Sequence, residues 1–117
     1  MRAIKFRAWD TYEPDKPEMI YIDPSDKEDG TCALDIIRDR DNWKVMQFTG
    51  LTDRNGKDIY EGDLVSIYFR NNTMPVTDEV CFDNGSYVTK GGRYLFACAS
   101  MCTVVGNIYE GIKEAVE

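Results

Sequence analysis

The sequence predicts an all-β fold with a minor helix, arranged as a small SH3-like or partly open barrel with an N-terminal β-hairpin extension. Roughly six to eight short runs of β-forming residues are present, and turn sequences separate them about every eight to twelve residues. Residues 59–89 supply a third observation, because a turn there leads into a long β-prone run that a hairpin sequence follows. An α+β fold is the alternative, since two segments also carry helical patterns.

The composition is that of one soluble globular domain over residues 1–117. Of these 117 residues, 43% are hydrophobic and 30% are charged, and a domain of this size buries roughly 65% of its unfolded surface. No apolar run approaches the ~18 residues that cross a bilayer. The opening MRAIKFRAWD also lacks the apolar stretch of a signal peptide. We therefore expect a cytoplasmic protein with no membrane partner.

Residues 3–9 form the first predicted strand, because charged and apolar residues alternate along them. One face is expected to carry Ile4, Phe6 and Ala8, and the other Lys5, Arg7 and Trp9. Two prolines, Pro14 and Pro17, exclude a helix from the next segment and indicate a loop. The β-prone run at 19–22 then completes an N-terminal hairpin.

An acidic, polar segment at about 23–42 precedes the barrel-like portion at about 43–110. Its stretch CALDIIRD has the spacing of one or two helical turns, while its Asp and Thr residues favour caps over helix propagation. We predict an exposed loop that carries a short helix here. Residues 43–51 follow as a strand of the barrel.

The turn after this strand has two possible forms. A type I′ turn on Asn55-Gly56 would set Asp53 opposite Asp58, and like charges that face each other across strands are unfavourable. A type I turn that begins at Asp53, with Gly56 in the left-handed conformation, instead sets Asp53 opposite Lys57. We favour this second form, in which the glycine belongs to a bulged hairpin.

Two further turns organise the middle of the chain. Glu61–Asp63 is predicted as a tight turn, and residues 64–69 are the most β-like run. Asn84-Gly85 is typical of a two-residue hairpin turn. This turn would pair Asp83 with Ser86, Phe82 with Tyr87 and Val80 with Thr89.

The C-terminal part is less regular. Residues 94–102 fit either a strand or a short helix, and a helix would place Cys98 and Cys102 on one face. Residues 103–109 are predicted as the last strand. Residues 111–117 are predicted as a short amphipathic helix or a tail.

The four cysteines (Cys32, Cys81, Cys98 and Cys102) are expected to be buried free thiols. Their spacings match no zinc-ribbon pattern, and a cytoplasmic location disfavours disulfides. The chain also has no His, which removes the commonest general base and most transition-metal sites. We therefore expect no enzymatic activity, no catalytic residue, no metal and no cofactor.

The net charge of −7 disfavours nucleic acid as a partner, because binding to phosphates depends on Lys and Arg. Arg2, Lys5 and Arg7 could nevertheless form a basic strip on the first strand. A solvated strand face is the simpler interpretation of these three residues. A nucleic-acid-binding β-barrel module stays as the alternative function.

Three blocks of sequence, in an order that spans nearly the whole chain, carry a family resemblance. They are IKFRAWD at 4–10 with the MIYI that follows it, VMQFTGLTDRNGKDIYEGDLV at 45–65, and VVGNIYE at 104–110. Together they resemble the YopX-like family of phage and prophage proteins. The resemblance implies a small, β-rich homo-oligomer in the cytoplasm of a bacterial host, and it carries over no catalytic residue.

Six residues form the candidate interaction surface: Trp9, Tyr60, Glu61, Asp63, Asn107 and Tyr109. Two of them, Glu61 and Asp63, flank Gly62, and such carboxylates could hold a divalent cation. The offsets of an EF-hand loop are absent, however, so a turn with solvated or amide-bound acids is favoured. Asn107 is expected to bond its own turn. We predict a non-enzymatic accessory protein that self-associates and contacts a host or phage protein.

Overall fold

The computed structural model describes residues 4–10, 15, 17–22, 43–69 and 74–112. Its strands are β1 (Phe6–Asp10), β2 (Glu18–Ile22), β3 (Trp43–Thr52), β4 (Asp58–Tyr60), β5 (Asp63–Ile67), β6 (Val76–Asp83), β7 (Ser86–Thr89), β8 (Cys102–Asn107) and β9 (Gly111–Ile112). A short helix, α1 (Leu95–Cys98), continues into a 3₁₀ turn, Ala99–Met101. The loop and helix predicted at 23–42 lie outside the described residues.

The predicted all-β fold is confirmed. One sheet is curled into a half-barrel, and the protein has a second sheet in addition to it. The chain divides into two compact units, Met1–Phe48 and Thr49–Glu117, and β3 continues from the first unit into the second. Among the described residues, no helix is long and apolar enough to span a membrane.

In the first unit, β1 is the central strand. It pairs antiparallel with β2, from Phe6↔Ile22 to Asp10↔Glu18, which confirms the predicted N-terminal hairpin. On its other side β1 pairs with β3, from Phe6↔Gln47 to Asp10↔Trp43. Ala8 and Ile22 form a small core, against which Phe6, Ile20 and Val45 pack. Two of the three residues expected on the apolar face, Phe6 and Ala8, therefore belong to this core, whereas Ile4 is 62% exposed.

The opposite face of β1 differs from the prediction at Arg7. The sequence indicated a solvated strand face, but Arg7 is only 3% exposed. It lies across from Met46, which is also buried, so an alternation of charges does not by itself identify a solvent-facing side. Lys5 lies on the same face, where its Nζ is 4.8 Å from the centre of the Phe48 ring.

The second unit is built on a five-stranded sheet with the order β7-β6-β5-β8-β9. Its core contains apolar residues from the strands, from α1 and from the 3₁₀ turn: Ile59, Val65, Ile67, Val80, Leu95, Cys98, Ala99 and Cys102. The hairpin of β6 and β7 has the predicted register. Asn84 and Gly85 both have positive φ, +50° and +81°, as a type I′ turn requires. The rings of Phe82 and Tyr87 meet edge to face at 5.0 Å.

The turn between β3 and β4 is the bulged form that charge pairing favours. The amide of Gly56 donates to the carbonyl of Asp53 (3.0 Å), and the amide of Asp53 donates to the carbonyl of Lys57 (2.8 Å). Gly56 has φ +84°, whereas Asn55 is not among the described residues with positive φ. This excludes the type I′ alternative, and Asp53 faces Lys57 as predicted.

The sequence did not determine the secondary structure of two segments near the C-terminus. Of residues 94–102, which fitted either a strand or a short helix, residues 95–101 form α1 and the 3₁₀ turn. Cys102 is the first residue of β8. The helix or tail predicted for residues 111–117 is wrong for the first two of these residues. Gly111 and Ile112 instead pair with Asn107 and Gly106 as β9.

Cys98 and Cys102 lie close together at the end of α1. Both are buried and free, and their sulfur atoms are 4.0 Å apart. The thiol of Cys102 donates to the carbonyl of Cys98 (3.0 Å). Burial, followed by the proximity of Cys98, raises the pKa of Cys102 to about 12. The neutral thiol is therefore the form that the fold stabilises.

The raised pKa of Cys102 predicts a loss of stability in alkali. An unfolded thiol has an ordinary pKa of 9.0, so this contribution is fully present well below pH 9.0 and disappears as the pH rises towards 12. Melting curves of the wild type and of Cys102→Ala compare the two proteins at each pH. We expect the wild type's advantage to shrink by about 2 kcal/mol between pH 8 and 10.5. A constant difference across that range would contradict the raised pKa.

Candidate functional site

Five of the six candidate residues come together where two turns of the second unit meet. We call this site the corner, and it consists of residues 60–63, between β4 and β5, and residues 107–112, from the end of β8 to β9. Asp63 pairs with Asn107 in the sheet, and the amide of Ile108 donates to the carbonyl of Gly62 (2.9 Å). Trp9 belongs to β1 in the first unit, where it is half-buried.

The first turn of the corner is closed by a buried carboxylate. Asp63 is 1% exposed, and its Oδ2 accepts a hydrogen bond from the amide of Tyr60 (2.8 Å). Gly62 has φ +84°, a conformation that favours glycine, and its amide donates to the carbonyl of Val80 (2.8 Å). Asp63 therefore fixes the shape of the turn and binds it from inside the protein.

The second turn is closed by an amide side chain, as the sequence predicted for Asn107. Its Oδ1 accepts hydrogen bonds from the amides of Tyr109 (3.0 Å) and Glu110 (2.9 Å). Its Nδ2 donates to Glu110 Oε1 (2.8 Å). Asn107 is 6% exposed, so both turns of the corner are held by buried polar side chains.

Two apolar side chains of the corner are exposed. Ile108 is 44% exposed and Ile112 is 60% exposed, while Glu61 and Tyr109 are half-buried. In the described sheet, β9 is the outermost strand. The buried hydrogen bonds thus hold two exposed isoleucines and a sheet edge in a fixed arrangement.

The role of Asp53 was not predicted from the sequence. This residue is 6% exposed, and its Oδ1 accepts hydrogen bonds from the amides of Asn55 (2.8 Å) and Lys57 (2.9 Å). Its Oδ2 accepts a third from the amide of Val104 in β8 (2.9 Å). Asp is common at the start of type I turns, and this preference is the only sequence signal for the residue. It does not predict a hydrogen bond to β8.

The tip of the β3–β4 turn is attached to β8 at a second point, because the amide of Arg54 donates to the carbonyl of Cys102 (2.9 Å). The segment 45–65 and the segment 104–110 therefore contact each other at both of their conspicuous turns. One contact is Asp53 with Val104, and the other is the corner. Asp63, one of the two acids considered as cation ligands, accepts a backbone hydrogen bond here, and Asp53 accepts three.

Comparison with known proteins agrees with the resemblance seen in the sequence. The family model described as YopX protein matches residues 5–112. A solved structure, the crystal structure of protein EF1440 from Enterococcus faecalis, is similar in fold, with a TM-score of 0.57 and 22% sequence identity over 93% of this chain and 95% of that chain. A search of curated proteins finds no match.

Proposed function

This chain belongs to the YopX protein family, and on that premise we propose that it is a non-enzymatic interaction module of a phage or prophage. It self-associates through the corner and contacts a host or phage protein. The observation that carries the proposal is the rigid corner, whose buried hydrogen bonds present two exposed isoleucines beside an outermost strand.

A binding role is supported by the way the second unit uses its buried carboxylates. Asp53 and Asp63 each accept backbone hydrogen bonds. A catalytic carboxylate must be able to exchange a proton or bind a reacting group, whereas these two hold turns in place. Such a scaffold suits recognition, because a surface that is already ordered loses little conformational entropy on binding.

Self-association is supported by the position of β9. An outermost strand offers backbone donors and acceptors to another strand, and proteins that stay monomeric commonly protect such edges with charges. Here the edge carries Ile112, which is 60% exposed, with Ile108 close to it in the chain. Two copies related by a two-fold axis would place the same edge against itself, which is the commonest arrangement of homodimers.

Nucleic-acid binding is the weaker alternative. Of its proposed basic strip, Arg7 is 3% exposed, and a buried guanidinium cannot contact a phosphate. The net charge of −7 would also repel a polyanion at low salt.

We expect Ile112→Lys to convert the protein from an oligomer to a monomer. A lysine on the edge strand places a charge where the second copy would bury an apolar side chain. Light scattering coupled to gel filtration measures the mass, over about a hundredfold range of protein concentration.

The matched control is Ile4→Lys, since Ile4 is 62% exposed but lies in the first unit. This variant is expected to keep the mass of the wild type. A wild type that is monomeric at every concentration would contradict self-association. An equal loss of mass in both variants would contradict the corner as the contact surface.

A further inference from the structure

A small groove lies on the β6–β7 hairpin, on the side that faces away from the core. It has a volume of about 190 Å³ and is lined by Asp83, Asn84, Ser86, Val88, Gly92 and Tyr94. The core side of the same hairpin carries Val80 and Tyr87. Since side chains alternate along a strand, Asp83 and Val88 point the other way.

The volume limits what the groove can hold. Small-molecule and cofactor sites usually occupy about 300 to 1,000 Å³, so this groove is too small for a nucleotide or a typical cofactor. It is of the size that accommodates a single long side chain. A partner that inserts one residue therefore fits it better than a free ligand.

One acidic residue, Asp83, lines the groove. Two other acids on β6 already have basic partners, since Glu79 pairs with Lys90 (3.2 Å) and Asp78 with Arg93 (3.8 Å). Asp83 is exposed, and in the described part of the chain no basic side chain forms an ion pair with it.

The negative charge of Asp83 also affects a neighbouring thiol. Cys81 lies two residues from Asp83 on the same face of β6, and its pKa is raised by burial and then by the negative charges of Glu79 and Asp83. Burial disfavours a charge of either sign, so only the second cause, the nearby carboxylates, favours a cation here.

One aromatic residue, Tyr94, also lines the groove. Tyr94 is 56% exposed and its ring lies 5.6 Å from that of Phe96, which is 73% exposed. The backbone of Tyr94 bridges to Val88 of β7, and the next residue, Leu95, is fully buried. The backbone of Tyr94 is therefore fixed beside β7, and its ring remains open to solvent.

We propose that this groove binds an arginine side chain of a partner protein. The guanidinium pairs with the Asp83 carboxylate and lies against the Tyr94 ring, while the aliphatic stem contacts Val88. Arginine suits the groove better than lysine, because its planar cation both pairs with carboxylates and stacks on aromatic rings. The negative net charge of the chain would also attract a basic partner surface. This site is separate from the corner, so it does not depend on self-association.

The test is a titration of the full-length protein with N-acetyl-arginine amide, followed by amide chemical shifts at physiological salt. We expect saturable shifts at Asp83, Ser86, Val88, Gly92 and Tyr94. The corresponding lysine derivative is expected to bind several-fold more weakly. Asp83→Asn is expected to weaken arginine binding by about tenfold, which corresponds to the loss of one charge-assisted contact.

The matched control is Glu18→Gln, which changes the net charge equally at an exposed acid of the first unit. It is expected to bind arginine like the wild type, and so is Ile112→Lys. Equal weakening by Asp83→Asn and Glu18→Gln would reduce the effect to general charge attraction and overturn the proposal. Shifts that map outside the groove, or equal binding of lysine and arginine, would also overturn it.

Discussion

We expect Asp53→Ala to lower the free energy of unfolding by about 3 to 4 kcal/mol. Three backbone amides donate to this buried carboxylate, and a hydrogen bond to a charged group contributes about 1.5 to 3 kcal/mol. The expected loss is smaller than the sum of three such bonds, because the amides of Asn55 and Lys57 lie near the surface and can bind water after the substitution. The amide of Val104 loses its partner within the fold.

This loss is large relative to the total stability of a domain, which is about 5 to 15 kcal/mol. Urea unfolding followed by circular dichroism measures it. The matched control is Asp83→Ala, since Asp83 is an exposed acid in the same unit, and its expected effect is below about 1 kcal/mol. Equal effects of the two substitutions would mean that Asp53 does not hold the turn to β8.

The second large effect is expected from Gly106→Ala. A Cβ atom at this position would overlap the carbonyl oxygen of Gly111 and lie 2.8 Å from the Cα of Ile112. Both obstacles are backbone atoms of β9, which cannot move aside by changing rotamer. We expect β9 to separate from β8, with a loss of about 2 to 3 kcal/mol and a loss of oligomer mass.

Unfolding in urea and light scattering test the two parts of this prediction separately. Val105→Ala is the control on the same strand, because it removes a half-buried side chain without crowding β9. It is expected to cost about 1 kcal/mol and to leave the mass unchanged. A Gly106→Ala protein with the stability and mass of the wild type would contradict the close contact between β8 and β9.

Local chemistry was sufficient to predict the turns. The charges of Asp53, Lys57 and Asp58 distinguished two hairpin forms, and the structure has the form in which opposite charges face each other. Asn84-Gly85 likewise defined both a turn type and a register. These features depend on residues within a few positions of one another, so one sequence contains the information for them.

Contacts between distant residues could not be predicted in this way. The hydrogen bond between Asp53 and Val104 joins residues 51 positions apart, and nothing near Asp53 distinguishes it from an acid in a solvated turn. Gly106 is constrained by β9, whose residues were predicted from local propensity to form a helix or tail. In each case the tertiary fold decides the role of the residue.

Arg7 illustrates the limit of alternating patterns. Its alternation with Phe6 and Ala8 predicted a strand correctly, but the strand face that carries Arg7 is buried there. Period-two patterns identify a half-buried strand only when its second face meets water. Five of the six residues proposed as an interaction surface lie at the corner, whereas Trp9 lies in the first unit. The exposed Ile108 and Ile112 were not among the six.

The structural role of the segment 45–65 is tested most directly by hydrogen exchange at the Val104 amide. In the wild type we expect this amide to exchange slowly, because it donates to Asp53 Oδ2. In Asp53→Asn we expect its protection to fall further than that of the Val65 amide in the core, since an amide nitrogen at Oδ2 cannot accept the bond. A Val104 amide that exchanges as fast in the wild type as the exposed Gly85 turn would contradict the attachment of this segment to β8.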